Sequence, residues 1–236
     1  MSMEMSGPEA SRSYIDAAAP EHPSLLDPDH VVGALFGVVN IPNVIWIDEN
    51  GMIVRPPEPG WPGERTTFPM SLFASMPEMG SAPDAPHRND AGHDQMTLLT
   101  SGQDRAAYAE AIRDWVELGA ASVHALSPDE VVARSQPRPH SNSAAAAHFE
   151  LATHLWRSGQ RESAIEHFNE CHRLQPENWT YKRQAWSTVG NERVGGDVGR
   201  WVQAPLKGEE GDWPFASDFR SDLAMLEPGE YYPATL

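Results

Sequence analysis

The chain has 236 residues, of which 40% are hydrophobic, so it can bury a core as one large domain or two small ones. Its formal net charge of -17, from 34 acidic and 17 basic residues, opposes the phosphate neutralisation that nucleic-acid binding needs, so nucleic acids and anionic membranes are excluded as expected partners. No apolar run is long enough to span a bilayer and residues 1–13 lack the apolar stretch of a secretory signal, so we expect a soluble, cytoplasmic protein.

The first strong helix signal begins at Asp27. Asp27 can cap a helix, Pro28 suits its first position, and Gly37 suits a left-handed exit. Between these ends four apolar residues share one face at helical spacing, which predicts a helix that covers a sheet. These residues are Val31, Val32, Leu35 and Phe36.

A β-hairpin is predicted next. Residues 44–47 form an apolar run rich in β-branched and aromatic side chains, which is typical of a buried strand. Asn50-Gly51 is the strongest two-residue hairpin signal and predicts a type I′ turn, since both positions tolerate positive φ. Residues 52–55 are then the return strand.

The segment VVNIPNVIWIDENGMIVRP, preceded by SLLDPDHVVGALFG, resembles the region around the cis-proline in TlpA-like members of the thioredoxin superfamily. The resemblance covers residues 11–57 and implies a cis Ile41-Pro42 bond. In that family this proline lines the groove where substrate backbone lies, so the resemblance implies Ile41, Pro42 and Asn43 as ligand-facing residues. A purely conformational role for Pro42 is the alternative.

The family's central strand and Cys-x-x-Cys helix would lie before this point, where the chain has only a short polar segment. The resemblance places the missing strand between residues 24–26 and residues 44–48. We expect the gap to be filled by a strand from a later insertion, by a second copy of the chain, or by residues encoded upstream of Met1. The third of these is the favoured hypothesis.

Residues 58–103 are rich in Pro, Gly, Met and Ser and predict a long insertion without regular structure. This segment collects acidic residues and histidines that could bind zinc or manganese. Their spacing matches no metal motif, and polar loops also collect such residues for solvation, so a solvated loop is favoured and no metal site is predicted. The residues concerned are Asp84, His87, Asp90, His93 and Asp94.

Two helices are predicted after the insertion. The first spans residues 104–118 and ends at Gly119, with an apolar stripe along one face. The second starts at the capping box Ser127-Pro128-Asp129-Glu130 and runs to about Arg134. The stripe consists of Tyr108, Ala111, Ile112 and Trp115.

The segment AAAAHFELATHLWRSGQRESAIEHFNECHRLQPENW resembles one tetratricopeptide unit, which is two antiparallel helices, here with a turn at Gly159. A third helix from Trp179 to about Ser187 would cover the pair. The glycine-rich remainder reads as loops anchored by Trp201, Trp213, Phe215, Tyr231 and Tyr232. The inner positions implied for the helical pair are Leu151, Ala152, Leu155, Ala164, Phe168 and Cys171.

Cys171 is the single cysteine, whereas thioredoxin-type catalysis needs a nucleophilic thiolate and a second thiol that resolves the mixed disulfide. At an inner helical position a free cysteine behaves as a small hydrophobe, so no catalytic residue is predicted. The remaining histidines of the helical pair show no same-face spacing of three or four and are expected to be surface or packing residues. They are His148, His154, His167 and His172.

The predicted fold class is α/β (α+β), with a partial thioredoxin-like sheet and a helical extension like a tetratricopeptide repeat. Residues 1–57 would form the second half of a thioredoxin-like fold, 58–103 the insertion, 104–135 the helices that complete the first domain, 141–187 the repeat-like helices and 188–236 the aromatic-anchored tail.

The leading functional hypothesis is a redox-inactive thioredoxin-like protein that binds a protein or small ligand through the cis-proline region and the repeat-like helices, without a cofactor. One alternative is an N-terminally truncated thiol-disulfide oxidoreductase or peroxiredoxin-like enzyme. The second is a metal-binding protein that uses the His/Asp-rich insertion. A protein partner at the repeat-like helices is expected, and a homo-oligomer is compatible with the sequence.

Overall fold

The computed structural model describes residues 1–60, 78–85, 99, 104–194 and 203–233. Of residues 190–194 it describes the backbone only. The chain is a mixed α+β protein that divides into two compact units. The first unit comprises Met1–Val39 and Arg138–Thr188, and the second comprises Asn40–Pro137 and Val189–Leu236. The boundary between the units falls within residues 1–57, which the sequence analysis assigns to one domain. The predicted domain boundaries stay predictions.

The described helices and strands are, in chain order, α1 (Pro8–Ala18), α2 (Val31–Phe36), β1 (Asn43–Ile47), β2 (Ile53–Pro59), α3 (Arg105–Leu118), α4 (Pro128–Arg134), α5 (His140–Arg157), α6 (Arg161–Leu174), α7 (Trp179–Val194) and α8 (Phe219–Leu223). Short 3₁₀ turns cover Gly119–Ala121 and Glu210–Asp212. None of the helices in the described ranges has the length and apolar character needed to cross a bilayer.

Helix α2 is shorter than the sequence predicts. It starts at Val31 rather than at Pro28, and it ends as predicted at Gly37, whose φ is 73°. The expectation that its apolar face is buried is wrong, because Val31 and Leu35 are 52% and 75% exposed. The buried position is Gly33, where an added Cβ would lie 2.3 Å from the Met3 Cε atom. The helix thus packs through its backbone and leaves its large side chains outside.

Helices α5 and α6 form the antiparallel pair predicted from the sequence, with the turn at Gly159 in the left-handed region at φ 81°. Ala152, Ala164 and Phe168 are fully buried between them, as expected. Leu151 is 42% exposed, so its predicted inner position is wrong. It lies next to Ala152 in sequence, and neighbouring residues point about 100° apart around a helix.

An aromatic cluster fills the core of this first unit. The Phe149 ring stacks on Tyr181 of α7 with centroids 4.3 Å apart, and it meets Phe168 edge-on at 5.8 Å. The carbonyl of Val39 accepts hydrogen bonds from the backbone N–H groups of Trp179 at 2.7 Å and Thr180 at 3.2 Å. The start of α7 is therefore fixed to the N-terminal segment of its own unit.

Residues 24–26, which the resemblance makes one strand of the sheet, pair within their own unit. Ser2 forms a parallel bridge with Leu26, through hydrogen bonds of 2.8 Å from Ser2 N–H to the Leu25 carbonyl and from Asp27 N–H to the Ser2 carbonyl. In the described part of the chain the sheet consists of β1 and β2 alone.

The predicted hairpin is confirmed, with β1 and β2 antiparallel, and so is the cis Ile41-Pro42 bond. The predicted type I′ turn is wrong, because Gly51 has a positive φ of 78° and Asn50 does not. The Asp48 carboxylate explains the difference. Its Oδ1 atom accepts from Asn50 N–H at 2.9 Å and Met52 N–H at 2.8 Å, which favours a turn with one left-handed residue.

Trp46 forms the core of the second unit together with α3. It is 2% exposed, stacks on Trp115 at 5.0 Å and meets Tyr108 edge-on at 6.1 Å. Ala111 is buried and Ile112 packs against the same cluster, so the predicted stripe of α3 is confirmed.

A buried polar network lies beside this cluster. Arg55 Nε and Nη2 donate to the two carboxylate oxygens of Glu58 at 2.7 and 2.8 Å, and Arg55 Nη1 donates to the His124 carbonyl at 3.0 Å. Tyr108 Oη donates to Glu58 Oε1 at 3.2 Å and accepts from Trp46 Nε1 at 3.0 Å. Burial raises the pKa of Tyr108 to about 12, which keeps this hydroxyl a donor at neutral pH.

The helix caps and aromatic anchors of the second unit follow the sequence closely. Ser127 and Glu130 form the predicted capping box of α4, which ends at Arg134 as expected. In the tail Trp213, Phe215 and Tyr231 are buried, which confirms them as anchors, whereas Trp201 lies outside the described residues.

Phe168→Ala tests the packed seam of the first unit. Phe168 has no exposed surface, so its truncation should lower the free energy of unfolding by about 3–5 kcal/mol. Urea unfolding followed by circular dichroism measures this loss. Leu151→Ala, on the same hairpin but 42% exposed, is the matched control and should change stability by roughly 0.5 kcal/mol or less. Equal losses in both variants would contradict the packing described.

Candidate functional site

The first unit carries a groove of about 260 Å³ between α2 and α5. Its floor is polar and aromatic, whereas its rim combines exposed aliphatic side chains with charges. Ala146 and Ala147 of α5 also line the groove, and their small side chains leave room for it. The lining includes His30, Val31, Leu35, Arg138, Glu150 and Tyr181.

Asp27 sets the position of His30. Its two carboxylate oxygens accept from Val31 N–H and Gly33 N–H, each at 2.9 Å, and so pair two of the N–H groups that open α2. Asp27 is 5% exposed, and its carbonyl accepts from His30 N–H at 3.2 Å. This tight turn places His30 in the left-handed region at φ 55° and turns its side chain inward.

The His30 ring lies among aromatic side chains at the floor of the groove. It is 1% exposed, with its centroid 4.8 Å from that of Phe149 and 5.9 Å from that of Tyr181. Burial lowers the pKa of His30 to about 4, against the opposing pull of the Asp27 and Asp29 charges. The imidazole is therefore neutral at pH 7 and carries one donor nitrogen and one acceptor nitrogen.

Neither ring nitrogen of His30 has a hydrogen-bond partner among the described residues. Buried polar groups are usually paired, and leaving one unpaired costs about 1–3 kcal/mol. His30 also lines the groove, but its ring nitrogens have almost no accessible surface, so a polar ligand can pair with them only after the side chains that cover the ring move. This combination of a cavity and an unpaired buried histidine distinguishes the groove from an ordinary surface depression.

The rim of the groove is held in place by two arginines. Arg157 pairs with Asp29 at 2.5 Å and also donates to the carbonyls of Met5 at 3.0 Å and Pro28 at 3.3 Å. Arg138 donates to the Ala34 carbonyl near the end of α2. The groove therefore combines exposed aliphatic side chains with a few polar groups in fixed positions, which is the usual composition of a binding site.

The segment implied by the thioredoxin resemblance is held by its own unit. Ile41 N–H donates to Asn40 Oδ1 at 2.9 Å, and the Ile41 carbonyl accepts from Tyr232 Oη at 2.8 Å. Asn40 also donates to the Tyr231 carbonyl at 2.9 Å. The Ile41 side chain is 45% exposed, but its backbone groups already have partners within the chain. A ligand-facing role for Ile41, Pro42 and Asn43 stays a prediction.

One polar atom of this segment has no partner. The side-chain Oδ1 of Asn43 is buried and makes no hydrogen bond within the described ranges. This residue does not line the groove beside α2.

Cys171 lies where the sequence predicts it, buried in the seam of the helical pair. Burial raises the pKa of its thiol well above the usual range, so the reactive thiolate is suppressed at neutral pH. The candidate metal ligands His87, Asp90, His93 and Asp94 lie outside the described residues, and Asp84 is exposed. Within the ranges that the structure covers, no three His, Cys, Asp or Glu side chains group closely enough to hold a metal ion.

Sequence reasoning missed two histidine features. The sequence signals predict a helix that begins at Pro28 and so includes His30, although the Asp-Pro-Asp-His order also suits a turn before a later helix start. His148 of α5 and His167 of α6 were judged by their spacing within one helix, whereas their Nδ1 atoms lie 2.8 Å apart across the pair. No local pattern reports a contact between two helices.

No family model matches the chain, and neither a curated protein nor a solved structure matches it. The function must therefore be argued from the residues of the groove and their chemistry.

The buried histidines should make stability depend on pH. His30 and His172 have pKa values lowered to about 4 and about 3, against 6.5 for ordinary histidine. The unfolded chain therefore binds more protons below pH 6.5, and stability should fall as the pH drops from 6.5 towards 4, by at most about 1.4 kcal/mol per pH unit for each group. Urea unfolding at a series of pH values measures this dependence.

His30→Asn isolates one of these groups, because asparagine tolerates the left-handed backbone of position 30 but does not titrate. The variant should show a flatter fall in stability between pH 6.5 and 4 than the parent chain. Parallel curves would show that His30 is not held neutral by burial.

Cys171 should resist modification in the folded protein. Rapid-mixing absorbance with a thiol reagent at pH 7 should show labelling at the unfolding rate only, because both the thiolate and its access are suppressed. The same chain in denaturant should label at once. Fast labelling without denaturant would place the thiol at the surface.

Proposed function

We propose that the chain is a binding protein that recognises a segment of a partner protein in the groove between α2 and α5. The observation that carries this proposal is the pair of unpaired ring nitrogens of His30 at the floor of the groove. A neutral imidazole offers one donor and one acceptor, which is the complement of an amide group. A peptide bond or an Asn or Gln side chain of the partner would pair with one of the two nitrogens, and a second polar group of the partner would pair with the other.

The size of the groove favours a protein segment over a free small molecule. Its volume of about 260 Å³ lies below the range of roughly 300–1,000 Å³ typical of small-molecule sites. Val31 and Leu35 extend the contact surface beyond the cavity itself, since both stand exposed on the adjoining helix. One inserted side chain with its flanking backbone would fill the cavity and cover these two residues.

The wider hypothesis of a redox-inactive thioredoxin-like protein with a repeat-like helical pair is part of the same proposal. The order of helix, X-Pro and hairpin in α2, Ile41-Pro42 and β1–β2 supports it, as does the turn of the α5–α6 pair at Gly159. A partner bound on α5 agrees with the protein-interaction role that the repeat resemblance implies. A cytoplasmic location belongs to this proposal as well.

Selection of random peptides on the immobilised full chain tests the groove. Peptides enriched on the parent protein should lose affinity by about tenfold or more on Leu35→Glu, which places a charge on the rim at a side chain that is 75% exposed. His30→Asn should weaken the same peptides, because the shorter asparagine side chain carries its donor and acceptor at different positions from the imidazole nitrogens. Fluorescence anisotropy gives each dissociation constant.

Val132→Glu is the matched control, because Val132 is 70% exposed on α4 in the other unit. It should leave peptide affinity unchanged. The proposal fails if no peptide is enriched above an empty support. It also fails if the selected peptides bind Leu35→Glu and Val132→Glu equally well.

A further inference from the structure

A pair of imidazoles bridges the two antiparallel helices of the first unit. The Nδ1 atoms of His148 on α5 and His167 on α6 lie 2.8 Å apart, and the ring centroids are 5.0 Å apart at an angle of 43°. Both rings are half-buried. The small buried residues Ala145, Ala152 and Ala164 let the helices approach and so bring the two rings together.

We propose that His148 and His167 bind a divalent transition-metal ion, with Zn²⁺ as the representative case. At the observed separation one Nδ1 must donate and the other accept, so the two nitrogens share a single proton. A metal ion can take the place of that proton, which then sits on the Nε2 atom of its own ring, because neutral imidazole nitrogen is a preferred ligand of Zn²⁺ at 2.0–2.1 Å. Two such ligands in tetrahedral geometry stand about 3.4 Å apart, so the Nδ1 atoms must separate by about half an ångström and both rings must turn until their lone pairs meet at the ion.

The described residues supply no third protein ligand beside the two histidines. Glu170 follows His167 by one turn on α6, but both of its carboxylate oxygens pair with Arg173, at 2.6 and 2.7 Å. The proposed site therefore has two nitrogen ligands, and water fills the remaining positions around the ion.

This ligand set selects the metal class. Imidazole suits zinc, copper and nickel, whereas magnesium and calcium prefer sites made of oxygen ligands alone. Because the two histidines come from different helices, a bound ion would tie α5 to α6. Binding only to the folded pair would raise the melting temperature of the chain as the metal concentration rises. This site is separate from the groove, so neither proposal depends on the other.

The test uses the full chain freed of metal with a chelator, titrated with ZnCl₂ at pH 7.5 by calorimetry and by thermal melting. The parent chain should bind Zn²⁺ with a rise in melting temperature. His148→Gln and His167→Gln should each weaken binding by about tenfold or more and lose that rise. His154→Gln, an exposed histidine on the same helix, should behave like the parent.

A Zn²⁺ effect that is absent from the parent chain, or unchanged in His148→Gln and His167→Gln, overturns the proposal. Carbethoxylation of histidines in the parent chain, mapped by mass spectrometry, gives a second measurement that needs no variant. Zn²⁺ should protect both His148 and His167 from the reagent. Protection confined to other histidines would place the metal elsewhere and refute the site.

Discussion

The carboxylate of Asp27 is the contact on which the first unit depends. By accepting from Val31 N–H and Gly33 N–H it decides where α2 begins, and through the turn that follows it points His30 into the aromatic cluster. Hydrogen bonds to an ionised group are about twice as strong as those between neutral groups, so this buried acceptor can hold a helix of only six residues. Asp27 therefore fixes both α2, which forms one wall of the groove, and His30, which lies at its floor.

The second unit shows the reverse arrangement, in which a hydrophobic cluster holds a polar network. A two-stranded hairpin is marginal by itself, and β1–β2 gains its support from Trp46 packed on α3. The buried Arg55–Glu58 pair adds little net stability once desolvation is counted, but it helps to fix register through its contacts outside β2. A shifted strand would lose the hydrogen bonds to the His124 carbonyl and the Tyr108 hydroxyl. Tyr108 belongs to both groups of residues: its ring packs in the hydrophobic cluster, and its hydroxyl takes part in the polar network.

Signals that act within a few residues of sequence could be predicted. The capping box at Ser127, the turn at Gly159 and the stripe of α3 each depend on local geometry, and each is found in the structure. The predictions for the start of α2 and for the turn at Asn50 were wrong because, in each case, an aspartate side chain accepts hydrogen bonds from backbone N–H groups and so changes the expected backbone pattern.

The candidate sites depend on contacts that no local pattern reports. His30 meets Phe149 and Tyr181 across long stretches of sequence, and His148 meets His167 only because two helices pack closely. The groove could therefore be recognised only after the fold was known.

The contacts of Ile41 bear on how copies of this chain avoid one another. Strand edges with free N–H and carbonyl groups recruit further strands and lead to ribbons of stacked chains. Just before β1, Asn40 and Tyr232 occupy both backbone groups of Ile41, so this residue has no backbone group left for an incoming strand. A tyrosine 191 residues later in the sequence therefore closes this one position to edge-to-edge pairing.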